Sequence, residues 1–119
     1  MILLTGGAGY IGAVTVGELL DKGYAVRVLD KFLYGEEPLA CFGSRVESVQ
    51  GDILTMDDAA LEGVDAVIHL AGLSNDPTAE FNPAANRRLN TDATARLAEM
   101  CKRKGVRRFI FASSCSIYD

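Results

Sequence analysis

A short apolar segment, Met1 to Leu4, runs into Thr5-Gly-Gly-Ala-Gly-Tyr-Ile-Gly12, and apolar residues then recur at helical spacing: Ile11, Val14 and Leu19, flanked by Val16 and Leu20. Gly6, Gly9 and Gly12 stand in a G-x-x-G-x-x-G pattern between a strand and a helix. Each has a mechanical reason. Gly6 permits a sharp turn off the strand, Gly9 lets main chain approach a pyrophosphate, and Gly12 lets helix and strand pack closely. Amides at the helix start, from Tyr10 and Ile11 onward, would join the positive end of the helix dipole to hold an anion without a charged side chain. A tight turn with no ligand is the plain alternative, so the residues further along must decide.

The pattern continues as alternating strands and helices. A helix is predicted over Tyr10 to Lys22, with Gly23 as a left-handed cap. Ala25 to Leu29 reads as a second strand ending on Asp30, and 31–44, with Gly35, Pro38 and Gly43, reads as loop. Val46 to Val49 is a third strand. Thr55 with Asp58 resembles a capping box for a short helix before Gly63. Asp65 to Leu70 is a fourth strand, and Ala71 to Asn82 a loop. A long helix starts with Asn82 as cap and Pro83 at the first helical position, and ends at Lys104 before Gly105. Its stripe is Leu89, Ala93, Leu97, Met100 and Cys101. Arg108 to Ala112 is a fifth strand. This alternation predicts an α/β fold: a parallel sheet of about five strands with flanking helices, right-handed crossovers and strand order 3-2-1-4-5. No covering helix follows the last strand, which reads as a domain truncated after it, with an edge open to pairing.

Composition narrows the class. With 119 residues, 49% of them hydrophobic, the chain has enough apolar content for one core without metals or disulfides. No apolar run reaches the ~20 residues a membrane span requires. Met1 opens no signal peptide, so a cytoplasmic setting is expected. Cys41, Cys101 and Cys115 are odd in number and lack metal-ligand spacing, so neither a disulfide framework nor a metal site is expected. Charge is uneven: residues 1–80 hold four basic and 13 acidic side chains, and residues 81–119 hold eight and three. The run Lys102, Arg103, Lys104, Arg107 and Arg108 could meet nucleic acid. Most of it closes the last turn of a helix, where cations complement the dipole, and a solvated helix end without nucleic acid is the better reading.

Asp30 lies 18 residues beyond Gly12, at the tip of the second strand. There a carboxylate can accept hydrogen bonds from the adenosine ribose hydroxyls. It would repel a 2′-phosphate, which favours NAD over NADP; Lys31 beside it weakens that preference. No Lys-Ser or Lys-Thr follows the glycines, so a mononucleotide P-loop is excluded.

Several stretches now agree: TGGAGYIG at 5–12, Asp30, Gly51-Asp52, HLAG at 69–72, Asn90, and FASSCSIY at 111–118. Together, and in this order, they resemble the extended short-chain dehydrogenase/reductases, in particular the NAD-dependent nucleotide-sugar epimerase/dehydratase branch. The resemblance implies a Rossmann-type sheet with NAD as cofactor. It implies that Asp52, with Ile53 next to it, faces the adenine, and that Leu70, Ala71 and Gly72 line the adenosine and diphosphate crevice. Asn90 would support the cofactor side of the site, or else be a polar helix residue bonded to backbone. Ser114 matches the family's active-site Ser/Thr, whose hydroxyl bonds the reacting sugar oxygen, although Ser113 could exchange roles with it.

The departures matter as much. The family's catalytic Tyr-x-x-x-Lys pair has no counterpart here, because no tyrosine is followed four residues later by lysine. Tyr118 instead matches a structural tyrosine in Ser-Ser-x-x-x-Tyr-Gly, with Asp119 where the glycine belongs. The part that holds the nucleotide-sugar is also missing. The resemblance therefore implies the NAD-binding portion of such an enzyme, inactive alone, with the nucleotide-sugar a partner of the full-length parent. A different reading is a non-catalytic module that forms homo-oligomers through its open fifth strand and a bare helix face carrying Leu89, Leu97 and Met100.

Two other constellations carry less. His69, the single histidine, could form a triad with Ser114, but no Gly-x-Ser-x-Gly elbow is present and a packed strand-end residue is expected. Cys115 has no neighbour in sequence that argues for a lowered thiol pKa.

Overall fold

In the computed structural model, which describes residues 1–73 and 80–113, every apolar run expected as a strand is one. These are β1 (Ile2–Thr5), β2 (Val26–Asp30), β3 (Val46–Gln50), β4 (Ala66–His69) and β5 (Arg108–Phe111). They form one sheet in the order β3-β2-β1-β4-β5. All four pairings are parallel. Successive side chains of a strand point to opposite faces, so adjacent leucines in β1 enter different cores. Leu3 packs with Leu29, Val67, Leu97 and Met100 on one face. Leu4 packs with Val16, Val28, Leu39 and Val46 on the other.

Helix α1 (Tyr10–Asp21) covers the second face, and Gly23 follows it at φ +81°, the left-handed cap expected there. Short helices were missed between β2 and β3. Glu37–Ala40 forms α2 with Pro38 in its first turn, and Gly43–Arg45 forms a 3-10 turn. The glycines and proline that marked a loop punctuate it rather than exclude helix, because a proline in a first turn lacks only an amide that would be unpaired anyway.

The short helix before Gly63 is a 3-10 turn, Asp58–Leu61, and its cap is not Thr55. Asp57 accepts the amide of Ala59 at 3.0 Å, while the amide of Thr55 is used in a turn onto the Asp52 carbonyl.

The long helix begins as expected, with Asn82 accepting the amide of Ala85 at 3.0 Å and Pro83 opening α3 (Pro83–Asn86). It does not continue as regular α-helix. A π-helical segment, Arg87–Asp92, intervenes before α4 (Ala93–Arg103). Such insertions re-aim a side chain at the cost of poorer main-chain hydrogen bonding. Four of the five stripe residues pack, but against the sheet: Ala93 and Leu97 are fully buried, and Met100 and Cys101 nearly so, whereas Leu89, in the π segment, is half-buried and joins neither core. The expected bare helix face carrying Leu97 and Met100 is therefore absent, because the sheet of the same chain covers it.

The uneven charge also resolves into pairing. Arg103 and Lys104 both reach Asp58, and Arg107 reaches Asp65 at 2.8 Å, so basic residues of the later half face acids of the earlier one. Arg96 holds the carbonyls of Ile53 and Met56. Among the described residues no helix is long and apolar enough to cross a membrane.

Candidate dinucleotide site

In this strand order the chain reverses direction across the sheet between β1 and β4, which opens a crevice at their carboxyl ends. The loops leaving β1, β2, β3 and β4 carry the residues singled out from the sequence: Gly6 to Gly12, Asp30 and Lys31, Asp52 and Ile53, and Leu70 to Gly72.

Three glycines of the first loop are required by the protein itself. Gly6 has φ +75°, and a Cβ there would lie 2.7 Å from the Ala71 amide nitrogen across the switch point. A Cβ on Gly12 would lie 2.3 Å from the Gly6 carbonyl oxygen, so Gly12 lets the helix close on the loop itself. Gly7, which the spacing argument passed over, would strike the Val28 side chain at 2.7 Å; the only signal in the sequence was the doubled glycine.

Gly9 is different. Its φ of −74° suits any residue, and its added Cβ would meet only the Gly6 carbonyl, at 3.4 Å, an ordinary contact. The protein's own packing does not demand glycine there. Open approach to the main chain at Gly9 is what a ligand pressed against it would use.

Gly9 is the helix cap and offers no side chain to the first-turn amides of Tyr10, Ile11 and Gly12. Those amides have no partner within the helix and aim out of its positive end. The side chains of Tyr10 and Ile11 are exposed, so main chain rather than side chain is available at these positions.

Asp30 is already oriented. Its Oδ2 accepts the amide of Ala8 at 3.0 Å and its Oδ1 the amide of Phe32 at 2.9 Å. The Ala8 amide is thus spent on aiming Asp30, leaving the helix start for an anion. A carboxylate has about four acceptor sites, so each oxygen retains room for a ribose hydroxyl. On these two observations, the open approach at Gly9 and the oriented Asp30, the residues fit a dinucleotide.

Beside it, Asp52 Oδ1 accepts the Leu54 amide at 2.9 Å, and its Oδ2 lies 3.0 Å from Lys31 Nζ. Partial burial pushes the Asp52 carboxyl up, but the Leu54 amide, Lys31 and the charge of Arg88 outweigh it and hold it below the usual range. Ile53 is buried in the core and contributes packing there.

The loop after β4 is held from the π segment. Asn90 Oδ1 accepts the Leu73 amide and Nδ2 donates to the Leu73 carbonyl, both at 2.8 Å. A Cβ at Gly72 would lie 2.6 Å from Asn90 Oδ1. Asn90 thus bonds backbone, as the plainer reading has it, and the backbone it bonds is the loop that lines the crevice.

His69 is 1% exposed and sits between Thr5 and Thr94. Thr94 donates its one hydroxyl proton to the Asn90 carbonyl at 2.8 Å, so it must accept from His69 Nε2–H at 2.9 Å. Nδ1 is then the unprotonated nitrogen and accepts from the Thr5 hydroxyl. Burial lowers its pKa, keeping the ring neutral. Both ring nitrogens are occupied, so His69 is the packed strand-end residue expected, and it offers no free nitrogen to a serine. Ser113 is exposed just past β5. Ser114, Cys115 and Tyr118 lie outside the described residues.

The comparisons with known proteins point the same way. The family model for the NAD dependent epimerase/dehydratase family matches residues 2–119. UDP-glucose 4-epimerase of Mus musculus is 36% identical over 98% of this chain and 38% of its own length. That of Pasteurella multocida is 38% identical over 98% and 37%. Among solved structures, UDP-N-acetylglucosamine 4-epimerase from Methanobrevibacter ruminantium M1, in complex with UDP-N-acetylmuramic acid, superposes with TM-score 0.90 at 30% identity, covering 98% of this chain and 38% of that one. The Thermus thermophilus UDP-glucose 4-epimerase complex with NAD gives 0.83 at 29% identity, over 95% and 37%. The chain spans less than two fifths of the length of these relatives. With the glycine turn, the aimed carboxylate and the strand order all in place, the match across nearly every residue assigns the chain to the NAD dependent epimerase/dehydratase family.

Proposed function

We propose that this chain binds NAD and is the dinucleotide-binding portion of a nucleotide-sugar epimerase or dehydratase. The observation that carries it is the contrast within the glycine loop: Gly6, Gly7 and Gly12 are demanded by protein packing, whereas Gly9 is not, and Gly9 is where a diphosphate would press. The amides of Tyr10, Ile11 and Gly12 hold that diphosphate. Asp30 takes the adenosine ribose, Asp52 the adenine edge, and Leu70, Ala71 and Gly72 line the crevice under the tie from Asn90.

NAD, when bound, supplies a nicotinamide that accepts and returns a hydride. In the longer protein Ser114 presents its hydroxyl to the reacting sugar oxygen, with a nucleotide-sugar as the partner. That related proteins are UDP-glucose 4-epimerases, and that a solved structure similar to this chain holds UDP-glucose and NAD, supports that substrate class. Alone, the chain does not turn over substrate, because proton transfer by a positioned group contributes about 10²- to 10⁴-fold and no tyrosine-lysine pair stands in this sequence to supply it. The exposed thiol of Cys41 suits a reducing, cytoplasmic setting.

Calorimetric titration of the 119-residue chain with NAD tests the reading. Binding is expected, and Gly9→Ala is expected to weaken it about tenfold or more while the melting temperature moves little, because the added methyl meets the ligand rather than the protein. No heat with millimolar NAD from folded protein would overturn the proposal.

One observation favours a second reading. Among the described residues β5 pairs with β4 and no other strand, and Ile110 and Phe111 are half exposed, so the chain would self-associate at that edge into homo-oligomers. Light scattering across concentrations separates the two: a strict monomer that binds NAD leaves no place for assembly as the function.

A further inference from the structure

The rim of the crevice beyond β2 and β3 holds a cation whose neighbour decides what it can do. Lys31 follows Asp30, and a cation beside the ribose carboxylate would ordinarily attract the 2′-phosphate that distinguishes NADP from NAD. Sequence alone makes Lys31 a weakness in the preference for NAD. In the fold, its ammonium lies 3.0 Å from Asp52 Oδ2, in the loop just past the end of the neighbouring strand β3.

The acid is the better anchored partner. Its side chain is 24% exposed against 47% for Lys31, and its other oxygen is tied to the Leu54 amide. Arg88 adds positive potential at the same carboxylate. Lys31 therefore comes to a fixed Asp52, and a dianionic phosphate arriving at this rim would meet Asp30 and Asp52 with the intervening cation already satisfied.

We infer that Asp52 is a specificity-determining residue: by holding Lys31 it withdraws that cation from a 2′-phosphate and keeps the site selective for NAD over NADP. The inference rests on the dinucleotide reading above and goes beyond it in naming how the discrimination is maintained. Asp30 repels the phosphate directly, and Asp52 removes the group that would offset the repulsion.

The test uses the full chain with three variants: Asp52→Asn, Lys31→Met, and the two combined. Asparagine keeps an oxygen for the Leu54 amide and removes the charge that holds Lys31. Each protein is titrated with NAD and with NADP at low and high salt, and the ratio of the two dissociation constants is read. Asp52→Asn is expected to shift that ratio about tenfold toward NADP at low salt and less at high salt, since the new attraction is between exposed charges. Adding Lys31→Met should restore the wild-type ratio, and Lys31→Met alone, which leaves the Asp52 carboxylate without its cation, should move the ratio further toward NAD. A ratio unchanged in Asp52→Asn, or shifted equally with and without Lys31, overturns the inference while the NAD reading stands. A wild-type chain that binds neither dinucleotide overturns both.

Discussion

β1 and β5 are both four-residue parallel strands of one sheet, Ile-Leu-Leu-Thr and Arg-Phe-Ile-Phe, yet their fates differ. Leu3, Leu4 and Thr5 are fully buried, whereas Ile110 and Phe111 are each about half exposed. Both are short apolar runs, and β5 carries a charge in Arg108, but the place each takes in the sheet sets how far its apolar residues are buried. β1 pairs with β2 and β4 and is covered on both faces, while β5, among the described residues, pairs with β4 alone. The loop leaving the buried strand is correspondingly over-determined, with contacts that forbid even a methyl at Gly6 and Gly12. Ala112 and Ser113, which leave β5, lie exposed. The loop we propose for the dinucleotide is thus launched from the most constrained strand, where main chain cannot drift.

The comparison breaks or sharpens under mutation. The largest effect is expected for Leu4→Ala, which empties a fully buried site in the centre of the sheet and should cost about 2–5 kcal/mol in urea unfolding. Asn90→Ala comes next, at about 1–3 kcal/mol, because the Leu73 amide loses its acceptor. The same change should weaken NAD binding, and unaltered affinity would separate the loop clamp from the site.

A smaller effect belongs to His69, the joint between the two regions, which bonds Thr5 of β1 and lies against Phe109 and Phe111 of β5. Its folded pKa lies below the unfolded value of about 6.5. Between those two values the unfolded chain binds more protons, so stability is full above about pH 6.5 and declines as pH falls toward the folded value. Asp65 is held below the usual carboxylate range by the N-terminal ammonium and Arg107, so its contribution fades only nearer about pH 4. Urea midpoints measured from pH 7.5 down to about 5 should therefore fall before the carboxylates titrate, and a flat profile would show His69 protonating without penalty.

The smallest effect is expected for Ile110→Ala, under about 1 kcal/mol, since half of its surface already faces water. A loss as large as that of Leu4→Ala would mean that β5 is covered in solution, and would favour the self-associating reading.

Local patterning made much of this molecule legible. Short apolar runs marked all five strands, and Gly23 and Asn82 marked helix ends, because caps and turns are decided by neighbouring residues. The three spaced glycines and Asp30 marked the proposed dinucleotide site, because in a dinucleotide-binding βαβ unit the glycine turn and the strand-end acid stand at a nearly fixed separation. The π segment was not legible. Arg87–Asp92 carries no sequence sign of an insertion, and what rewards it is Asn90 reaching Leu73, 17 residues away.

Gly7 and Lys31 belong with it: one is required by Val28 on the next strand, the other neutralised by Asp52 in the loop beyond β3. Residue order alone determined the succession of strands and helices, the glycine turn and the carboxylate that follows it, since these depend on propensity and short spacing. Only the folded sheet decided which apolar strand is buried, which helix face is free, and which charges meet, because those outcomes depend on groups brought together from distant parts of the chain.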